Sequence, residues 1–165
     1  MKKLWAPWRA GYILGPKEKG CLLCRIPQED KDEENLVIWR GELGYVMLNR
    51  YPYNTGHLMI VPYRHEGGLE KLDARESLEM MQLAQHSITA LKESLKPQGF
   101  NLGVNLGSVA GAGIGEHLHM HIVPRWGGDT NFMPVLASTK VISQALKETH
   151  CALKAAFESL SSADR

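Results

Sequence analysis

Three histidines at alternate positions form the segment of the sequence best suited to chemistry. His117, His119 and His121 are separated by Leu118 and Met120. Residues two apart in a β-strand project from the same face, so the three imidazoles would share one face and the two apolar side chains the other. The pattern predicts a strand whose apolar face meets the core and whose histidines line an exposed or cleft-facing surface.

The spacing of this row limits what it can bind. Alternate residues on a strand lie about 6.5 Å apart, which puts the outer two histidines about 13 Å apart. Zinc–nitrogen bonds are only about 2.0–2.1 Å long, so one ion can take two neighbours but hardly all three. The row therefore favours a site in which one imidazole reacts and its neighbours position it, donate protons or bind something else.

A glycine-rich segment precedes the histidines and could hold a phosphate. It runs from Gly107 to Gly115 and follows Asn105. Glycine lets the backbone approach a ligand closely and present its N–H groups to an anion. The segment matches neither the P-loop nor the dinucleotide fingerprint, so by itself it is weak evidence.

The elements that must position these residues follow from the apolar pattern. Asp73 and Glu76 form a capping box that opens a helix, and Pro97 with Gly99 ends it. Its expected apolar stripe consists of Leu78, Met81, Ile88, Leu91 and Leu95. Strands are expected at 36–40, 45–49, 57–63, 100–106 and 117–123, and a last helix within 139–160, with Ile142, Leu146, Leu153 and Phe157 on one side. The order predicts an α+β fold with an antiparallel sheet of about five strands and two main helices.

Length and composition indicate one ordinary globular domain. The 165 residues are expected to form a single domain, 1–165, with an N-terminal arm over 1–20. Nineteen basic and eighteen acidic residues leave a net charge of +1, which argues against extended nucleic-acid binding. No segment has the length and apolar character of a membrane span or a signal core. Three cysteines do not make a disulfide framework, so we expect a cytoplasmic protein.

Several motifs resemble one known family. The segment from His117 to Pro124 resembles the motif of the histidine triad (HIT) superfamily, and Leu48 to Pro62 resembles the nucleoside-pocket strands of that family. The opening Leu4-Trp-Ala-Pro-Trp-Arg and the segment from Pro124 to Pro134 resemble the branch that includes the smaller diadenosine tetraphosphate phosphorylases. The resemblance covers nearly the whole chain.

The resemblance implies a function and assigns roles to residues. HIT proteins are α+β, usually homodimers, and cleave or transfer at the α-phosphate of a nucleotide. By the motif, His119 would be the nucleophile that forms a nucleotidyl-histidine intermediate, and His121 would steady the charge of the phosphate. The residues assigned to substrate binding are Asn49 at the ribose, Asn105 with the loop amides of Gly111 and Gly113 at the phosphate, and Trp126 against the base.

The acceptor of the nucleotidyl group stays open at this point. Inorganic phosphate as acceptor would split diadenosine tetraphosphate into ADP and ATP, whereas water, acting on dinucleotides or nucleoside phosphoramidates, would release AMP. A nucleotide-binding regulatory protein is the alternative from another class, and the intact His119 speaks against it. No organic cofactor is implied.

A pair of cysteines suggests a metal site. Cys21-Leu-Leu-Cys24 has a spacing that fits zinc or a redox pair. A thioredoxin-like redox pair would lie in a βαβ unit, which the sequence does not predict here. Some HIT relatives complete a structural zinc site with two histidines, which the resemblance places at His65 and His117. The alternative is two reduced, partly buried thiols.

Two more residues near these motifs each allow a structural and a functional interpretation. His57 begins a strand and could reach the pocket, but we expect a structural histidine. Arg125 could pair with phosphate, although an ordinary surface arginine is expected.

Overall fold

The computed structural model describes residues 20–129 and 145–163 of the chain. The strands are β1 (Val37–Arg40), β2 (Gly44–Leu48), β3 (Leu58–Pro62), β4 (Gly99–Val104) and β5 (Met120–Arg125). The helices are α1 (Leu22–Arg25), α2 (Asp32–Asn35), α3 (Ala74–Leu95) and α4 (Leu146–Ala163). Short 3-10 turns cover Ile26–Gln28, Leu69–Lys71 and Ser108–Ala110. The α+β prediction, with two main helices, is confirmed.

All five strands form one antiparallel sheet in the order β1-β2-β3-β5-β4. β5 pairs with β3 and β4 at once, and His121 lies opposite Met59 on one side and Gly103 on the other. The sheet therefore holds the strand with the last histidine between two neighbours, which fixes its backbone.

The two faces of the sheet pack against different hydrophobic clusters. α3 and α4 pack against each other and against the face that presents Val46, Ile60 and Ile122 to the main core. The opposite face presents Tyr45 and Val61 to a smaller cluster that also contains Leu23 and Ile26. Because side chains alternate along a strand, His121 lies on this second face, away from the two long helices.

The start of α3 is as predicted, but its buried stripe is not. The Asp73 carboxylate accepts from the Glu76 amide at 2.8 Å, and the Glu76 carboxylate accepts from the Asp73 amide at 3.0 Å, which completes the capping box. Leu78 and Met81 are 60% and 50% exposed, so the expected stripe is wrong there. The buried face consists of Glu76, Met80, Leu83, Ala84, Ser87, Ala90 and Leu91. Small residues on that face let the helix lie close to the sheet, and the pattern of large apolar residues does not reveal this.

The strand predicted at 117–123 begins later, at Met120, and runs to Arg125. The amide of Leu118 donates to the carbonyl of Glu66, which lies beyond the end of β3, at 2.7 Å. The chain therefore reaches the sheet only after His119, although Leu118 still points into the main core.

The last helix is confirmed over the residues that the structure describes. α4 runs from Leu146 to Ala163 and buries Leu153 and Phe157, while Leu146 packs against the core from a half-buried position. Residues 139–144 with Ile142, the arm over 1–19 and the end of the motif after Asp129 lie outside the described residues. No helix within 20–129 or 145–163 is long and apolar enough to cross a membrane.

Candidate active site and metal centre

The three histidines of the triad differ in burial. His117 is 0% exposed and His119 is 6% exposed, whereas His121 is half-buried. The expected row on an exposed or cleft-facing surface is therefore wrong for His117, because its side chain turns toward Pro62 and the cysteine pair. The rings of His119 and His121 remain neighbours, with centroids 4.9 Å apart and planes nearly perpendicular.

A backbone hydrogen bond sets the proton on His119. Its Nδ1 lies 2.9 Å from the carbonyl oxygen of His117. A carbonyl can only accept, so Nδ1 carries the proton and the neutral ring keeps its lone pair on Nε2. An imidazole in this tautomer presents a nucleophilic nitrogen, and the same backbone contact fixes the ring orientation.

His121 is paired with a histidine from another strand. The Nε2 of His57 lies 2.9 Å from the Nδ1 of His121, and the amide of Tyr53 donates to the Nδ1 of His57 at 3.0 Å. Since Nδ1 of His57 accepts, its proton lies on Nε2 and is donated to His121. The remaining proton of a neutral His121 is then on its Nε2, where it can be donated to a ligand.

His57, for which the sequence favoured a structural role over one in the pocket, lies against the triad. It is fully buried and contacts His121, 64 residues further along the chain. Its position two residues before Met59, the partner of His121 in the sheet, places it on the histidine face. The alternation of His57 with the core residues Leu58 and Ile60 was a signal for that face, but the pairing of β3 with β5 could not be read from the sequence.

Cys21, Cys24, His65 and His117 converge as the resemblance implied. Their ligand atoms all lie within 4.8 Å of one another. The Nδ1 of His117 is 3.3 Å from each of the two Sγ atoms and 3.4 Å from the Nδ1 of His65. A tetrahedral ion with bonds of about 2.0–2.3 Å holds its ligand atoms about 3.3–3.8 Å apart, so the cluster can hold a metal ion.

Protonation in this cluster also suits a metal. The Nε2 of His117 donates to the carbonyl of Pro62 at 2.8 Å, which leaves Nδ1 as a lone-pair donor toward the cysteines. Burial lowers the pKa of His117, which keeps the ring neutral. Burial, followed by the neighbouring Cys21, raises the pKa of the Cys24 thiol, so the Cys24 thiolate needs a cation beside it.

The predicted substrate-binding residues have their own local contacts. Asn105 follows Val104, which pairs with Met120 in the sheet, so it lies near the start of β5. The Asn49 carboxamide oxygen accepts from the amide of Tyr51 at 2.9 Å. The amide of Gly111 donates to Ser108 within the loop at 3.0 Å. Binding roles for Asn49, Asn105, Gly111 and Gly113 stay predictions.

The segment after β5 is held by a carboxylate. Both carboxylate oxygens of Asp129 accept from Arg125, and one of them also accepts from the amide of the half-buried Trp126. Arg125 further donates to the side chain of Asn101 at 2.8 Å. Arg125 thus stabilises the turn that contains Trp126. A role for Trp126 against a base stays a prediction.

Comparisons with known proteins establish the family of the chain. Residues 30–128 match the family model of the HIT domain, and the chain belongs to that family. AP-4-A phosphorylase of Mycobacterium tuberculosis is 46% identical over 158 residues, 90% of this chain and 80% of that protein. Bis(5'-adenosyl)-triphosphatase of Dictyostelium discoideum is 27% identical over 54% of this chain and 59% of its own length.

A solved structure shares both the fold and the family. It is a crystal structure of a Zn-bound histidine triad family protein from Mycobacterium smegmatis, 27% identical, with a TM-score of 0.71. The superposition covers 87% of this chain and 97% of that one.

Proposed function

We propose that this protein transfers a nucleotidyl group from a diadenosine polyphosphate through a covalent intermediate on His119. The hydrogen bond from His119 Nδ1 to the His117 carbonyl carries the proposal, because it leaves Nε2 free to attack phosphorus. Similarity to AP-4-A phosphorylase and to bis(5'-adenosyl)-triphosphatase supports a diadenosine polyphosphate as substrate.

The reaction divides into two displacements. The Nε2 lone pair of His119 forms a bond to the α-phosphorus, while the bond from phosphorus to the bridging oxygen breaks and the rest of the polyphosphate leaves with the electron pair. An acceptor oxygen then attacks the same phosphorus and displaces Nε2. Throughout, the Nε2–H of His121 donates to a phosphate oxygen, an interaction that strengthens as negative charge develops.

Inorganic phosphate is the acceptor we favour. Diadenosine tetraphosphate would first release ATP and leave AMP on His119, and attack by phosphate would then yield ADP. The 46% identity to AP-4-A phosphorylase supports this choice. The alternative within the family is a hydrolase that releases AMP from dinucleotides or phosphoramidates, and the alternative from another class is a nucleotide-binding regulatory protein.

A product assay with diadenosine tetraphosphate tests the proposal. We expect turnover to ADP and ATP in equal amounts only when inorganic phosphate is present, and no more than one ATP per protein molecule without it. AMP formed without phosphate would identify a hydrolase, and tight binding without turnover would identify a regulatory protein.

Substitution of the nucleophile tests the intermediate. His119→Ala should lower turnover by at least about 10³-fold, while His86→Ala, an exposed histidine on α3, should have no effect. A quenched reaction of the unaltered protein should carry AMP on His119, detected by peptide mass spectrometry. Retained activity in His119→Ala would overturn the mechanism.

The substrate contacts belong to the same proposal. Asn49 would bind the ribose and Trp126 the base, while Asn105 and the amides of Gly111 and Gly113 would surround the phosphate, the Gly111 amide exchanging its bond to the Ser108 carbonyl for one to the ligand. An Asn105→Ala variant should lower kcat more than it raises KM, because a donor to the crowded phosphorus centre acts mainly in the transition state.

We further propose that the Cys21, Cys24, His65 and His117 set binds zinc in a structural role. Two thiolates and two imidazoles in tetrahedral reach are the ligands zinc prefers, and four protein ligands leave no position for substrate. Bound zinc would pin α1 to the segment before β5. Free thiols suit a reducing compartment, which supports a cytoplasmic location.

A homodimer is the assembly we propose. β4 is at one edge of the sheet, and its Leu102 is 44% exposed although it shares a face with Phe100 and Val104, which pack against the core. Exposed strand edges and apolar residues beside them are surfaces that pairing chains cover. Light scattering should give the mass of a dimer, and Leu102→Glu should shift it toward the monomer.

A further inference from the structure

Tyr53 contacts the pair of histidines behind the reaction centre in two separate ways. Its backbone amide donates to the Nδ1 of His57 at 3.0 Å. Its ring lies against both imidazoles, with its centroid 4.7 Å from that of His57 and 5.9 Å from that of His121. One residue thus touches both members of the pair.

The amide contact decides the direction of the hydrogen bond between the histidines. As long as Tyr53 donates to Nδ1 of His57, the proton of His57 must lie on Nε2 and point at His121. A protonated Nδ1 would bring two donors face to face and lose the bond. The direction of these two hydrogen bonds leaves His121 with a proton on Nε2, the nitrogen that would donate to the phosphate in the proposed mechanism.

The ring contact also bears on the access of water to the same bond. His57 is fully buried and His121 is half-buried, while Tyr53 itself is 37% exposed. The Tyr53 ring is tilted by 34° and 38° from the two imidazoles and packs against both, so its removal would expose part of each ring. A hydrogen bond shielded from water is electrostatically stronger than one that water can replace.

The turn that carries Tyr53 is fastened to β5. The side-chain amide of Asn54 donates to the carbonyl of Pro124 at 3.0 Å and to Asp129 at 2.9 Å. Gly56 has a φ of 73°, and a Cβ there would lie 2.6 Å from Leu95. The turn is therefore held on the same strand that presents His121.

We propose that Tyr53 is a positioning residue that keeps His121 in the donor state by orienting and covering the His57–His121 hydrogen bond. The role requires the backbone amide of residue 53 and an aromatic ring at that position. The inference rests on the role proposed for His121, but its first test does not depend on the identity of the substrate.

Nitrogen NMR of the histidine side chains reads the tautomers directly. In the unaltered protein and in Tyr53→Phe, His57 and His121 should each give the signals of an Nε2–H tautomer at neutral pH. Tyr53→Leu and Tyr53→Gln keep the backbone amide but lose the ring, so water can compete for the His57–His121 hydrogen bond and the His121 signals should move toward the average of the two tautomers. Circular dichroism identifies any variant that is not folded. An aliphatic and a polar replacement are both made, so that the test can proceed if one of them does not fold.

Steady-state kinetics with diadenosine tetraphosphate supply the second readout. Tyr53→Phe should keep kcat within about twofold, and Tyr53→Leu should lower kcat by about 10- to 100-fold with little change in KM, as expected for a misplaced catalytic group.

Three outcomes would overturn the inference or separate it from the proposed function. Unchanged His121 signals in folded Tyr53→Leu and Tyr53→Gln would refute it. A raised KM with unaltered kcat and tautomers would make Tyr53 a substrate contact instead. If the unaltered protein has no activity on the dinucleotide but the tautomer shift occurs, the positioning role stands and the proposed function fails.

Discussion

Protonation of Glu76 should cost this protein stability in a defined pH range. Its carboxylate accepts two hydrogen bonds of 2.7 Å from Arg64, which is adjacent to the metal-site residue His65, and a third from the amide of Asp73. Arg64 is the main cause that lowers the pKa of Glu76 from 4.5 to about 2. These contacts fasten the start of α3 to the segment that carries His65.

The size of the effect follows from that pKa. A lowering of this extent corresponds to about 3 kcal/mol between the two protonation states. The Arg64 side chain is 45% exposed, and water screens the pair. We therefore expect about 1–2 kcal/mol of stability from the charged carboxylate.

The sign is set by the direction of the pKa change. The folded protein holds the charged form more strongly than the unfolded chain, so the contribution is complete above about pH 5 and is lost as pH falls toward 2. Urea unfolding should show Glu76→Gln to be less stable than the unaltered protein at neutral pH by about 1–2 kcal/mol. The difference should shrink at acidic pH.

A comparison with a neighbouring carboxylate isolates the pair. Glu70 is exposed, and Glu70→Gln should change the free energy of unfolding little at either pH. Acid also protonates the metal-site ligands, but this affects both proteins and cancels in the difference. A Glu76→Gln penalty that stays constant from neutral pH to pH about 3 would refute the reasoning.

Three further predictions concern the metal centre, the histidine pair and the turn. Cys24→Ser should lose bound zinc in elemental analysis and unfold at lower temperature, whereas Cys151→Ser, at an exposed position on α4, should keep both properties. His57→Phe should lower kcat by about 10²-fold, because His121 loses its hydrogen-bond donor. An unchanged rate of the chemical step in single-turnover assays would count against this role of His57. Gly56→Ala should lower the free energy of unfolding by about 1–3 kcal/mol in urea, since φ is 73° and Leu95 leaves no space for a Cβ.

Features that depend on residues close together in the chain could be predicted from the sequence. The capping box of Asp73 and Glu76 needs only three residues of spacing, and the strands around Val46 and Ile60 follow from local apolar runs. The predicted buried stripe of α3 was wrong at Leu78 and Met81, because burial depends on where the sheet lies and not on helical spacing alone.

Those residues of the candidate site that belong to a recognisable motif could be predicted from the sequence. The resemblance located Cys21, Cys24, His65 and His117 before their convergence was known. The contact of Tyr53 and His57 with His121 depends on the register between β3 and β5, which no local pattern contains. Burial of His117 likewise follows from its contact with Pro62, 55 residues earlier in the chain.

The late start of β5 divides the triad into two mechanical units. His121 lies within the ladder between β3 and β4 and moves only with the sheet. His119 lies one residue before the ladder, and its ring is bonded to the backbone of His117, whose side chain lies in the candidate metal site. The residue between them is also held, since the amide of Leu118 donates to the carbonyl of Glu66. In the proposed mechanism the nucleophile and the phosphate donor therefore have separate supports: a change at the candidate metal site would reach His119 through the His117 backbone and would leave His121 in its place in the sheet.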